Sequence, residues 1–243
     1  MEPWWPAGTK QGYKPFTFGW ILGELIRIIT GKMPAQAIRD SICTPLDLDL
    51  HIGLSAQDQK RCSSLQKLVT TPAKPKAGKN DNAKKAKPEI DENSLFFKAF
   101  NNPKSLTYGS NSSRWRAAEI PAANGHCTAD SLACFYSELL QNDCRLLKPA
   151  SVELFKQAAS ERTDETIFFP IAFSAGMFLS TETSATKFGK QTGSFGHPGA
   201  GGSVAFADPH NDLGVAFVTK NMGVGLMGDK RLQRLSKALY NCL

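Results

Sequence analysis

The sequence lacks most of the patterns that would settle its class quickly. Its six cysteines, Cys43, Cys62, Cys127, Cys134, Cys144 and Cys242, contain no CxxC pair and no zinc-ligand spacing, although His126 stands beside Cys127. A structural metal and a disulfide framework are therefore not expected, and a reduced compartment, cytoplasmic or otherwise intracellular, is. The opening residues "MEPWWPAGTKQGY" have neither the charged start nor the apolar centre of a signal peptide. No apolar run approaches the roughly 20 residues that cross a bilayer, so no membrane span is expected. No internal repeat is evident. The glycine-rich stretch near the end is followed by strand-like runs rather than a helix, which excludes a dinucleotide fingerprint.

What is present is the composition of a globular protein. The 243 residues are 41% hydrophobic, enough to build a real core in one large domain or two small ones. The formal net charge of +7 raises the question of a nucleic-acid partner. Much of it sits in one run, "TTPAKPKAGKNDNAKKAKPEIDEN" at 70–93, which has almost no large apolar residue and no interleaved aromatics. This run reads as a disordered, lysine-rich insertion, and no nucleic-acid partner is expected. It separates a helical part, 1–69, from helices, a sheet and a C-terminal helix at 94–243 of the same domain.

Periodicity places the ordered elements. "TFGWILGELIRIITGK" sets Trp20, Ile21, Leu25, Ile28 and Ile29 at helical spacing until Gly31 ends the pattern, and Pro34 suits the first turn of a second helix over 33–42. Thr128 is an N-cap for "ADSLACFYSELLQN", Pro149 opens a helix in "ASVELFKQAAS", and Asp229 caps an amphipathic terminal helix. Residues 167–180 read as one strand with an irregular start, since they include Pro170 and Gly176. Val204–Ala207 and Leu213–Thr219 read as strands joined by the turn "DPHND". Helices first, then an antiparallel sheet of at least three strands, then a covering helix, make an α+β fold.

The chemistry concentrates in three blocks. "FGHPGAGGSVAFAD" places His197 at a strand edge stripped of bulk by Pro198, Gly199, Ala200, Gly201 and Gly202, where another molecule can approach the backbone. "PAGTKQGYKPFTFGWILGELIRIITGK" sets Tyr13 just ahead of the long helix, and "EIPAANGHCTADSLACFY" carries His126. In this order the blocks resemble the serine β-lactamase and penicillin-binding superfamily, specifically its class C-like esterase branch of β-lactamase-related proteins. The resemblance covers nearly all of the chain outside the insertion. It implies a β-lactamase/transpeptidase-like fold, an antiparallel sheet flanked by helices, and acyl-enzyme hydrolysis of a small ester or amide without a cofactor. It also implies roles. Tyr13 matches the tyrosine that shuttles protons to and from the nucleophile, and His197-Pro198-Gly199 matches the motif that reads Lys-Thr-Gly in true β-lactamases. The backbone N–H of Ala200 becomes one arm of an oxyanion hole beside Gly199, and His126 falls on a loop at the substrate rim or is a turn residue bonded to backbone.

Two departures matter. The family's Tyr-x-Asn is Tyr13-Lys14-Pro15 here, so the amide that orients substrate is absent. The family's Ser-x-x-Lys stands many tens of residues before the tyrosine, yet only twelve residues precede Tyr13 here. The matches Ser64–Lys67 and Ser184–Lys187 both follow it and neither begins a helix facing the sheet; "KQTG" at 190–193 is a coincidence of composition. The expectation is therefore the C-terminal portion of such a protein, N-terminally incomplete and lacking the nucleophile. A missing N-terminal segment or a partner chain supplies the rest, or the pocket survives as a non-catalytic binding or scaffold module.

Overall fold

A computed structural model describes residues 2–67, 91–101, 109–223 and 230–243. The insertion read at 70–93 lies outside the described residues as far as residue 90, and so does the cap expected at Asp229. The strongest helical period becomes α1 (Thr17–Thr30), closed where the Gly31 N–H donates to the Arg27 carbonyl at 2.9 Å. Pro34 opens α2 (Pro34–Ile38), which runs through a π turn at Arg39–Cys43 into α3 (Thr44–Leu46). After β1 (Leu50–Ile52), a 3-10 turn (Asp58–Arg61) and β2 (Gln66–Lys67), the description resumes before α4 (Leu95–Phe100), capped by Ser94, and α5 (Ser113–Ala117). Then come β3 (Gly125–Cys127) and α6 (Ala129–Glu138), where the Thr128 hydroxyl accepts the Ser131 N–H at 3.1 Å as the capping rule expects.

The second half carries the main sheet. α7 (Pro149–Glu153) stops earlier than its sequence suggests. Phe155 stacks on Phe195 of the core, and the Ala159 N–H pairs with the Phe173 carbonyl, so tertiary partners draw this stretch out of the helix. It leads into β4 (Ser160–Thr163), β5 (Pro170–Phe173), β6 (Phe178–Leu179), β7 (Phe195–Pro198), β8 (Val204–Asp208) and β9 (Leu213–Phe217), one antiparallel sheet in sequential order. The single strand expected over 167–180 is thus a hairpin, folded back at a turn closed by Ser174 N–H to the Met177 carbonyl at 2.8 Å. β10 (Asn221–Met222) pairs in parallel with β2, and α8 (Lys230–Tyr240) ends the described chain.

Alternation along β8 divides the core. Val204 and Phe206 join Ile171, Phe178, Phe188 and Tyr240 of α8 on one face; Ala205 and Ala207 join Leu179, Phe195 and the α6 residues Tyr136 and Leu139 on the other. Each fully buried phenylalanine, Phe178, Phe195 and Phe206, contributes about 1.5–3 kcal/mol by leaving water. The sheet is therefore a rigid middle layer between helices, and it positions β7.

α1 packs the other way round from its amphipathic pattern. Its buried residues are Gly19, against the backbone of Ala122, and Gly23, against Pro34. Ile21, Ile28 and Ile29, the apolar stripe, are 69%, 66% and 73% exposed, with Phe18, Leu22 and Leu25 beside them. No described residue covers that face.

Candidate functional site

Two remote parts of the chain meet at the end of β7. Residues 8–13 run as a strap along the turn between β4 and β5, where the Tyr13 N–H donates to Asp164 Oδ1 at 3.1 Å. This points the Tyr13 ring at the sheet, and its centroid lies 6.0 Å from that of His197. Phe178 of β6 locks the pair from beneath, edge-on to His197 at 4.6 Å and to Tyr13 at 5.9 Å, while Phe100 of α4 flanks Tyr13 at 6.2 Å.

The protonation states follow from this packing. Burial, and then the charge of Asp164, push the Tyr13 phenol up to about 12, so it is a neutral acid at pH 7. Its hydroxyl has no hydrogen-bond partner among the described residues. Burial lowers His197 from its usual value, against the opposing effect of its bond to Pro198. That bond, Nδ1 to the Pro198 carbonyl at 2.6 Å, assigns the tautomer, since a carbonyl only accepts. Nδ1 carries the proton and Nε2 presents a lone pair. His197 is accordingly an uncharged donor–acceptor.

Beyond His197 the strand opens into the small-residue loop. Its path needs glycine at Gly201 and Gly202, whose φ angles are 86° and 101°. The Gly199 N–H is taken by the Ser203 carbonyl at 2.6 Å, and Arg231 Nη2 ties the Gly201 carbonyl to α8 at 3.0 Å. Ala200 is exposed, and its N–H has no partner among the described residues. Tyr13, His197, Gly199 and Ala200 are therefore near neighbours in space or in chain.

His126 is placed differently. It lies on β3 opposite His51 of β1, and it lines a cavity of about 780 Å³ whose walls include Leu132, Ser203, Val218 and Lys220 but neither Tyr13 nor His197. Burial lowers its pKa, and its Nδ1 has no partner among the described residues. Other histidines and a buried arginine have structural bonds. His51 pairs with Asp49, His210 meets the Thr192 carbonyl, and Arg116 is buried against the carbonyls of Gln59 and Ser63. Ser184 is buried, with Lys187 turned to the Thr181 and Glu182 carbonyls; Ser64 is exposed before β2. Lys190 of "KQTG" donates to the Tyr240 carbonyl. All six cysteines are free, and no cluster of metal-ligating side chains exists among the described residues. No described helix is long and apolar enough to cross a membrane.

Sequence reasoning missed Phe178 and Asp164. Both are distant in the chain from the residues they hold, and "RTDET" around Asp164 carries no pattern of its own.

Comparison with known proteins gives a consistent picture. The family model described as Beta-lactamase matches residues 1–238. The curated protein "Esterase/beta-lactamase LipL" of Mycobacterium tuberculosis (strain ATCC 25618 / H37Rv) is 28% identical over 220 residues, 86% of this chain and 47% of that protein. Among solved structures, a penicillin-binding protein homolog from Caulobacter crescentus superposes with a TM-score of 0.81 at 33% identity, over 100% of this chain and 62% of that one. A family VIII carboxylesterase gives 0.82 at 27% identity, over 100% and 61%. The chain thus spans about half the length of the curated relative and about three fifths of these two structures. The arrangement of helices and antiparallel sheet is the β-lactamase/transpeptidase-like fold.

Proposed function

The chain belongs to the beta-lactamase family, and from that premise we propose that it forms the tyrosine-and-histidine half of a serine hydrolase site, which cleaves a small ester or amide through an acyl-enzyme. The observation that carries this reading is the meeting of Tyr13 and His197, 6.0 Å apart by ring centroid, at the mouth of a small-residue loop. In the reaction a serine Oγ attacks the substrate carbonyl carbon as its proton passes to the Tyr13 phenolate, formed once an incoming cation has ionised the phenol. The oxyanion rests on the Ala200 N–H, and the leaving alcohol or amine takes the proton back as the acyl–heteroatom bond breaks.

The serine and its activating cation come from polypeptide outside these 243 residues. Three features support this. Neither Ser-x-x-Lys match lies with Tyr13 and His197. The phenol stands near 12 beside a neutral imidazole, so it needs an incoming cation to ionise near pH 7. The apolar stripe of α1 has no cover among the described residues. The lone chain is therefore catalytically silent.

The test is fluorophosphonate labelling and p-nitrophenyl ester hydrolysis, by the chain alone and mixed with the N-terminal segment of the Caulobacter homolog. Silence alone, labelling of the pair, and a drop of at least about 100-fold in acylation with Tyr13→Phe are expected. Stoichiometric labelling of the lone chain would overturn the split site. Undiminished turnover in Tyr13→Phe would remove Tyr13 from the chemistry. The absence of the Tyr-x-Asn amide favours a second reading, a non-catalytic binding module; silence of every mixture, with retained binding of ester analogues, would establish it.

A further inference from the structure

Asp164 is completely buried, yet it belongs to no motif. Its Oδ1 accepts three backbone N–H groups: Tyr13 at 3.1 Å, Thr166 at 2.9 Å and Ile167 at 3.1 Å. Two of these shape its own turn, and the third comes from the strap. One oxygen thus joins segments 151 residues apart. Oδ2 faces Gln11 Nε2 at 3.5 Å. A carboxylate suits the post, because it accepts on both oxygens and has no proton to place.

We propose that Asp164 is a positioning residue for Tyr13: it grips the backbone at the tyrosine itself and so sets where the phenol stands against His197. The meaning of that role for catalysis rests on the hydrolase reading above.

The rest of the strap has anchors besides Asp164. Arg162 Nη1 donates to the carbonyls of Gly8 and Thr9 at 3.0 and 2.9 Å, and the Glu165 N–H donates to the Gln11 carbonyl at 2.9 Å. Ser160 Oγ donates to Gln11 Oε1 at 2.6 Å, and Gln11 Nε2 reaches the Ile171 carbonyl at 3.3 Å. Residues 8–11 are docked by these bonds and by the Lys10–Glu165 ion pair at 3.3 Å. Loss of Asp164 therefore frees Tyr13 without releasing the strap.

Position and charge separate cleanly. Among the described residues the groups facing Tyr13 are few: Asp164 from the β4–β5 turn, uncharged His197 from β7, the apolar rings of Phe178 and Phe100, and neighbouring Lys14, whose ammonium lies 3.1 Å from the Trp4 ring centroid. Asp164 is the one anion in this set. Its charge also helps keep the phenol protonated.

The experiment reads the phenol directly in the 243-residue chain labelled with 3-fluorotyrosine. Four tyrosines give four fluorine signals, and Tyr13→Phe identifies the one that matters. In Asp164→Asn the amide oxygen keeps an acceptor for the Tyr13 N–H while the charge is lost. The Tyr13 signal is expected to hold its chemical shift at neutral pH and to titrate with an acid constant raised at least about threefold. In Asp164→Ala the grip is lost too, and that signal alone is expected to move toward free fluorotyrosine while the other three stay. An unchanged Tyr13 titration in Asp164→Asn would overturn the proposal, as would an unmoved Tyr13 signal in a folded Asp164→Ala. If Asp164→Ala does not fold, the Asp164→Asn titration decides. No turnover enters this test, so the hydrolase reading can fail while the positioning role stands, and the reverse.

Discussion

His197 shows how the packing around one ring controls what a site can do. Its unfolded counterpart titrates near the reference value of about 6.5, while burial holds the folded imidazole below that. As pH falls below about 6.5 the unfolded chain binds a proton that the folded chain refuses, so stability declines from there down to the folded value. His126 is lowered in the same direction and adds to the effect. Urea midpoints are therefore expected to be lower at pH 5.5 than at pH 7.5, and His197→Gln is expected to shrink that difference. An equal difference in the variant would show that His197 is not held neutral. The same neutrality bears on mechanism, because a neutral imidazole cannot electrostatically favour a tyrosinate. Tyr13 and His197 were legible from their motifs. Their protonation states were not, since these depend on Phe178, Pro198 and Asp164, contributed from elsewhere in the fold.

Among elements, the join between α8 and the β8–β9 hairpin has the most concentrated chemistry. Tyr240, at the end of α8, donates its hydroxyl to Asp208 Oδ2 at 2.6 Å. Asn211 Nδ2 reaches the same oxygen at 2.9 Å, and the His210 N–H reaches Oδ1 at 3.0 Å. Burial alone would raise the Asp208 carboxyl, but these hydrogen bonds, led by Tyr240, hold it below the usual carboxylate range. The stabilisation is present above the unfolded value of about 3.9 and is lost as pH falls through the folded value. Tyr240→Phe removes one bond from a buried acceptor and is expected to cost about 1–3 kcal/mol in chemical denaturation near neutral pH, with a flatter acid limb. A variant as stable as the parent, with an unchanged acid limb, would refute this. The "DPHND" turn was visible in the sequence because turn residues act locally. That its aspartate anchors a helix was not, since nothing in α8 marks Tyr240 as the partner. The hairpin at 174–177 likewise read as a continuous strand, because strand propensity is blind to a two-residue reversal closed by its own backbone bonds.

At the scale of the molecule the sheet has two unlike edges. β4 carries Ser160, Glu161, Arg162 and Thr163, polar residues that discourage further pairing. β9, at the other margin, carries Leu213, Val215, Ala216 and Phe217 and pairs only with β8 among the described residues. With the open stripe of α1, this leaves one unpaired strand edge and one apolar surface, features of the kind that associate. The isolated chain is expected to self-associate at micromolar concentration. Replacing Ile21 and Ile28 together by glutamate should shift it toward monomer in sedimentation velocity, with a change in stability within about 0.5 kcal/mol, as for exposed sites. A large loss of stability, or association that persists unchanged, would show that the stripe is covered.

Local physics was readable from the residues alone: the period that makes α1, the Thr128 cap, the β8–β9 strands, and three short blocks whose order carries the family. These depend on neighbours a few residues away, and sequence records such neighbours directly. Tertiary structure alone decided which face of α1 is left open, that Phe178 and Asp164 frame the Tyr13–His197 pair, and that both rings are neutral. Those outcomes depend on contacts between segments as far apart in the chain as Tyr13 and His197, and on how much water each ionisable group loses, which no local pattern encodes.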